Sequence, residues 1–242
     1  MGIGVFLTGT DTGVGKTAVA AALARHLSQR GLSIGVMKPV ETGVFENALE
    51  QTDAYRLATA AGSQDDRRLI APYQFQRPIA PLAAARQSSR IIDPAAIVQS
   101  YDTIVSRHDI TLVEGVGGLL VPVGDGWDVR DLIAELNAAV IVVGRSALGG
   151  INHARLTMES LRARHVRALA LVLNQTQPLC SALELDQAKT TCQLLGDLIA
   201  EPVLGPLPYV GQLAHDWLRA IDRLAGDPSF TALGDLISGI AP

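Results

Sequence analysis

The sequence predicts an α/β protein: a doubly wound, mainly parallel sheet with helices on both faces. Three observations predict it. Short apolar runs of strand length alternate with longer stretches of helical periodicity from residue 3 to residue 207. Hydrophobic residues make up 48% of the chain and aromatics only 4%, so Ala, Val, Leu and Ile supply the apolar mass, as a sheet buried on both faces requires. A Gly-rich turn at residues 9–17 joins the first apolar run to the first helical stretch. The 242 residues can bury a sizeable core, and no low-complexity or linker-like segment divides them, so one domain spanning residues 1–242 is expected.

Strands are expected at residues 3–7, 33–37, 111–113, 140–143, 168–173 and 203–207. Helices are expected near 17–30, 48–61, 94–107, 128–137, 152–164, 182–199 and 229–239. Residues 69–90 are the least regular. Pro72, Pro78 and Pro81 break helix there and suggest an ordered excursion at the rim of the sheet.

The turn at residues 9–17 reads Gly-Thr-Asp-Thr-Gly-Val-Gly-Lys-Thr. Between a strand and a helix this is a phosphate-binding loop of the P-loop NTPase type. Gly13, Val14, Gly15 and Ala18 belong to the backbone that can turn successive N–H groups toward a phosphate, and the helix adds the positive end of its dipole. Lys16 can reach the outer phosphates of a nucleotide, and Thr17 offers a hydroxyl to Mg²⁺. The usual first glycine would fall at position 10, where Thr10 stands; Gly9 lies one residue earlier.

In doubly wound sheets ligands sit at the carboxyl ends of the strands. The polar residues just after each apolar run are therefore the candidates. Lys38 follows the second, and Pro39 stiffens its exit. A fixed ammonium there would stabilise a transferring phosphoryl or a carboxylate, though a lysine at a strand end also snorkels to water. Glu114 ends the third run (Thr-Leu-Val-Glu) as an acid placed to hold Mg²⁺, against the plainer reading of a rim carboxylate capping a turn. Gly115, Gly117 and Gly118 after it let backbone approach an oxyanion. After the fourth run, residues 148–153 open a helix, where Asn152 could cap and free N–H groups would suit a carboxylate. Asn174 closes the fifth with an amide that suits an adenine edge or a turn, and Pro208 and Tyr209 could wall a base.

Composition argues against several classes. The net charge is −4 with no basic run, which disfavours nucleic-acid binding. No apolar stretch approaches the length of a membrane span, and no charged leader precedes the first strand, so a cytoplasmic protein is expected. Cys180 and Cys192 lack metal-type spacing and read as buried free thiols. His26, His108, His165 and His215 read as surface or helix-end residues and His153 as a packed or capping one. No Ser-His-Asp or Cys-His pattern points to covalent hydrolysis.

Taken together, these stretches resemble the dethiobiotin synthetase family. The matching pieces are the phosphate loop at 9–17, Lys-Pro-Val-x-Thr-Gly at 38–43, Asp53, Pro-Tyr-x-Phe then Pro-x-x-Pro at 72–81, Val-Glu-Gly-x-Gly-Gly at 113–118, Leu-Gly-x-Ile-Asn-His at 148–153, Asn174, and Gly-x-x-Pro-Tyr at 205–209. The resemblance implies that ATP, Mg²⁺, CO₂ and 7,8-diaminononanoate meet in one site. It implies catalytic roles for Lys16 and Lys38, and Thr17, Asp53 and Glu114 as Mg²⁺ ligands. Asp53 by itself reads as a solvated helix residue; only the resemblance makes it a ligand. Thr42 would touch the diamine or its carbamate. Gly149, Gly150, Ile151 and Asn152, from a second subunit of a homodimer, would hold the substrate carboxylate. Asn174, Gln175, Pro208, Tyr209 and Val210 would frame the adenine. Gly13 and Gln175 fall where relatives also carry an acid, and Glu41 where relatives also carry small or neutral residues.

Two rival readings share the phosphate loop. Partition and cell-division ATPases usually carry an extra lysine at the loop's start, and positions 10–13 have none; the tail 211–242 is also not basic. A corrin-type amide synthase needs an added glutaminase domain, for which the chain is too short.

Overall fold

The computed structural model describes residues 2–211 and 216–240. Its centre is a six-stranded, all-parallel sheet of β1 (Ile3–Gly9), β2 (Ile34–Met37), β5 (Ile110–Gly118), β8 (Ala139–Arg145), β9 (Ala168–Asn174) and β10 (Val203–Leu207). The strand order is β10-β9-β8-β1-β5-β2. The strands consist largely of aliphatic residues because both faces are covered. Along β1, Val5 and Leu7 enter one core and Phe6 the other. The first core is packed by α1 (Lys16–Gln29), α2 (Asp53–Ala61), α9 (Trp217–Ala225) and α10 (Pro228–Ser238). The second is packed by α4 (Pro81–Gln87), α5 (Pro94–Val105), α6 (Val129–Leu136), α7 (Gly150–Arg162) and α8 (Ala182–Leu198).

Connections leave the centre in opposite directions. From β1 the chain runs outward to β2 on one side; from β8 it steps to β9 and β10 on the other. The crevice at such a reversal, at the carboxyl ends of the strands, is where this architecture binds ligands, and the loop after β1 opens into it.

All six predicted strands are present, several longer than expected. The third extends past Glu114 to Gly118 because Gly118 pairs with Gly9 of β1. The predicted helix at 48–61 is two elements. A 3₁₀ segment, Glu46–Gln51, stops at Thr52 (φ −69°, ψ 148°), and α2 starts at Asp53. The irregular region contains α3 (Arg67–Ile70), β4 (Tyr73–Phe75) and α4. Here β4 pairs in parallel with β3 (Val40–Thr42), a two-stranded ribbon at the rim, as the prolines suggested. A hairpin of β6 (Pro122–Gly124) and β7 (Trp127–Asp128) was not legible in the sequence.

Candidate active site

The phosphate loop leaves β1 at Gly9 and enters α1 at Lys16. Gly15 is the N-cap at φ 90°, a left-handed conformation that glycine adopts without strain. No side chain caps α1, and its first turn carries no acid, so its leading N–H groups stay free for an anion. Gly13 is also left-handed, at φ 75°. Val14 and Ala18 anchor the loop and helix by burial. Asn174, at the tip of β9, donates from Nδ2 to the Val14 carbonyl at 3.0 Å and braces the loop from below. A Cβ at Gly15 would stand 2.2 Å from that nitrogen, so glycine is required there twice over.

Lys16 folds back over the loop, and its Nζ donates to the Asp11 carbonyl at 3.2 Å. Burial, reinforced by the neighbouring Lys38 ammonium, lowers its pKa to about 8. The site thus holds a lysine that an arriving phosphate would charge fully.

Lys38 follows β2 and is almost completely buried, at 3% exposure. Its Nζ donates to Glu114 Oε1 at 2.6 Å and to the Gly115 carbonyl at 3.2 Å, and lies 2.9 Å from Asp53 Oδ2. Every N–H of the ammonium is therefore used. Burial alone would lower its pKa, but Glu114 and Asp53 override that and hold it above the usual lysine value. It does not snorkel to water.

Glu114 is 1% exposed. Its Oε1 accepts from Lys38 and, at 2.8 Å, from the Thr17 hydroxyl. Oε2 is buried with no partner among the described residues. Burial raises its pKa, and Asp53 adds to that, outweighing the pull of Lys38 and Lys16. Glu114 is a carboxylate short of positive charge. Asp53 is a third exposed; burial pushes its pKa up, but the Lys38 ammonium and the nearby Thr17 hydroxyl bring it below the ordinary value.

These groups fit a small divalent cation. Thr17, Asp53 and Glu114 offer oxygens only, the donor type that Mg²⁺ takes, and the orphaned Glu114 Oε2 is an acceptor awaiting a cation. Among the described residues no group of three or more His, Cys, Asp or Glu could hold a metal alone, so water or phosphate oxygens would complete the shell.

The remaining candidates stand at or just after the carboxyl ends of β3, β5, β8, β9 and β10. Gly117 (φ 61°) and Gly118 bring the end of β5 against the phosphate loop, near Thr12 and Asp11. Gln175 donates its N–H to the Leu207 carbonyl, and its Oε1 accepts from Tyr209 N at 3.3 Å, which joins the β9 exit to residues 208–210. Pro208 and Tyr209 are exposed there, and Val210 is buried beneath them. Thr42 ends β3, half-buried. Gly149 caps α7 at φ 85° with no side-chain cap; Asn152 lies inside the helix and exposed, so it does not cap, and Gly150 and Ile151 form the first turn.

Sequence reasoning missed a second cluster. Arg145, the last residue of β8, donates from Nη2 to Asp11 Oδ2 at 2.9 Å and lies 3.2 Å from His153 Nδ1, tying the phosphate loop to α7. Sequence reading also left Glu41 without a role. It is buried, and its Oε1 accepts from Asp53 N at 2.5 Å. The thiols are not buried as expected: Cys180 is exposed and Cys192 half-buried. His108 is wedged between Ser33 and Asp65 rather than free at the surface, and His215 lies outside the described residues. No helix among the described residues is long and apolar enough to cross a membrane.

Comparison with known proteins narrows the reading. A family model described as "AAA domain" matches residues 3–216. Among solved structures, the cell-division ATPase MinD of Pyrococcus furiosus superposes with a TM-score of 0.57 over 100% of both chains at 18% identity. The MinC:MinD complex of Aquifex aeolicus gives 0.58 at 13% identity, over 98% of this chain and 95% of that one. At such identities these show a shared P-loop NTPase fold and nothing more. The curated relatives discriminate further. An "ATP-dependent dethiobiotin synthetase BioD" of an Anaeromyxobacter species is 45% identical over 94% of this chain and 99% of its own. One of Thermodesulfovibrio yellowstonii is 37% identical over 89% and 92%, and one of Bacillus cereus 34% identical over 85% and 83%. The chain belongs to the dethiobiotin synthetase family.

Proposed function

We propose that this protein is the ATP-dependent cyclo-ligase that converts 7,8-diaminononanoate and CO₂ to dethiobiotin in biotin biosynthesis, with release of ADP and phosphate. The observation that carries the reading is the convergence of Lys16, Lys38, Glu114 and Asp53 at the mouth of a phosphate loop. The chemistry joins anions, so it needs concentrated positive charge and directed N–H groups.

One amine of the diamine bonds the carbon of CO₂ and loses a proton, giving a carbamate. A carbamate oxygen then bonds the γ-phosphorus of ATP as the bond to ADP breaks. The second amine attacks the carbamoyl carbon and loses a proton, and phosphate leaves with the oxygen it shared. Lys16 and the uncapped start of α1 bind the phosphates and hold their charge. Lys38 would meet the carbamate oxygen as that charge builds, with the N–H now on Asp53 or Glu114 released when a cation takes those carboxylates. Thr17, Asp53 and Glu114 would hold Mg²⁺, which when bound neutralises charge on the transferring group. Thr42 contacts the diamine. The turn Gly149, Gly150, Ile151 and Asn152, contributed by a second subunit of a homodimer, takes the substrate carboxylate on the N–H groups of Gly149, Ile151 and Asn152, since that of Gly150 already donates to the Ala147 carbonyl at 2.9 Å. Asn174 has its amide N–H on Val14, which leaves its carbonyl oxygen to accept from the adenine amino group, between Gln175 and the 208–210 wall. The enzyme works in the cytoplasm.

Mass spectrometry of the product formed with ¹³C-bicarbonate tests this. A ring one ¹³C heavier should form only when diamine, bicarbonate, Mg²⁺ and ATP are all present. Lys16→Ala should abolish it while diamine binding persists. ATP hydrolysis indifferent to the diamine, or normal turnover by Lys16→Ala, would defeat the proposal.

A further inference from the structure

Helix α2 begins in an unusual way. Its first N–H groups need acceptors, and an aspartate at a helix start commonly turns back to supply one. Asp53 does not. The acceptors come from Glu41, twelve residues upstream on β3: Oε1 takes Asp53 N at 2.5 Å and Oε2 takes Ala54 N at 3.4 Å. Thr52 Oγ1 takes the next donor, Tyr55 N, at 3.2 Å. Glu41 is itself held by its cross-strand partner Gln74, whose Nε2 donates to Oε2 at 3.2 Å. The leading donors of α2 are thus satisfied without Asp53's own carboxylate, which is free to stand 2.9 Å from Lys38 Nζ beside Glu114.

Burying Glu41 beside Asp53 sets two like charges together, which is unfavourable. The helix dipole and three hydrogen bonds offset part of this, and the pKa of Glu41 stays above the ordinary carboxylate value. The cluster Lys16, Lys38, Glu41, Asp53 and Glu114 then carries three acids against two bases, a balance that favours an added cation.

We infer that Glu41 is a positioning residue: by pinning the first turn of α2 it aims the Asp53 carboxylate into the Lys38–Glu114 centre, and its charge raises the affinity of that centre for a divalent cation. This rests on the proposed assignment of Asp53 and Glu114 as cation ligands. Partners that orient a metal ligand typically change metal affinity by about 10–100-fold when removed.

The test is Mn²⁺ binding followed by electron paramagnetic resonance, in the presence of ADP, for wild type, Glu41→Gln, Glu41→Ala and Asp53→Asn. ADP affinity in EDTA is measured in parallel. Glu41→Ala should weaken Mn²⁺ about tenfold or more. Glu41→Gln, which keeps one acceptor for Asp53 N but loses the charge, should fall between that and wild type. Metal-free ADP affinity should stay within about twofold, a split that a merely structural role would not give. If Asp53→Asn weakens Mn²⁺ but neither Glu41 variant does, the inference fails and the metal assignment survives. If Asp53→Asn leaves Mn²⁺ binding unchanged, the metal assignment fails. Equal losses of Mn²⁺ and metal-free ADP affinity in the Glu41 variants would also overturn the inference. Should Glu41→Ala not fold, Glu41→Gln decides alone by the same criteria.

Discussion

Replacing Lys38 by Met keeps the apolar stem and removes only the ammonium. The main loss is the contact with Glu114 at 2.6 Å, where both side chains are nearly fully buried. At an effective dielectric of about 20, that contact is worth about 6 kcal/mol before desolvation. Burial of the two ions consumes much of it, and removal of one partner from such a pair typically costs about 3–5 kcal/mol, because the other charge is left uncompensated. The contact with Asp53, a third exposed, is screened by solvent and adds less. For a chain of this length each kcal/mol moves the melting temperature by about 2–4 °C, so the variant should melt about 6–20 °C lower. The deficit should be partly reversible. With Lys38 gone, Glu114 and Asp53 are open to a cation without competition. Mg²⁺ at a hundred times its dissociation constant would return about 2.7 kcal/mol. Wild type without nucleotide should gain far less, because its ammonium already occupies Glu114 Oε1 and Asp53 Oδ2 and repels a second cation. Differential scanning calorimetry with and without Mg²⁺ reads both effects. An unchanged melting temperature, or equal Mg²⁺ stabilisation of the two proteins, would refute the reasoning.

Two further substitutions probe independent parts of the account. Gly15→Ala places a Cβ 2.2 Å from Asn174 Nδ2 at φ 90°, so the protein should fold but bind ADP at least about tenfold more weakly by calorimetry, through about 1–2 kcal/mol of backbone strain plus the clash; wild-type affinity would remove the loop from nucleotide binding. Asp128 caps α6 in a reciprocal capping box with Asp131. Burial pushes its pKa up, but Arg130 and the helix N–H groups hold it below the ordinary 3.8. A depressed folded pKa stabilises above the ordinary value, and that contribution is lost as pH falls through the folded one. Asp128→Ala should therefore cost about 1 kcal/mol at pH 7 in urea unfolding, with the gap between the two proteins narrowing as pH falls below the ordinary carboxylate value; a constant gap down to acid pH would contradict the charge-based cap.

How much of this site the sequence disclosed depended on local context. Lys38 and Glu114 stand directly at the ends of apolar runs, where the rule that ligands gather at strand ends singles them out, while Lys16 and Thr17 are legible from the Gly-rich loop that follows the first run. Glu114 nevertheless sits inside β5, because pairing of Gly118 with Gly9 prolongs the strand, and no local signal announces that. Asp53 stayed hidden because residues 48–61 read as one helix. The chain in fact breaks at Thr52, and a Thr-Asp-Ala-Tyr start is an N-cap signature that would have placed Asp53 in a first turn. The roles of Glu41 and Arg145 could not be read locally, since the Asp53 N–H that Glu41 accepts lies twelve residues away and the Asp11 that Arg145 holds lies in the phosphate loop, on another strand's exit. Helix α9 was missed although legible: Asp216 caps it, and Trp217, Ala220, Ile221 and Leu224 fall at helical spacing. The short strands β3 and β4 define each other only by tertiary pairing.

The central claim is that a carbamate oxygen, not water, meets the γ-phosphoryl group between Lys16, Lys38 and the acids. Freshly dissolved C¹⁸O₂, supplied with the diamine, Mg²⁺ and ATP, tests it through the isotopic composition of the released phosphate. The account predicts one ¹⁸O in each phosphate formed alongside the ring; phosphate free of the label would contradict it.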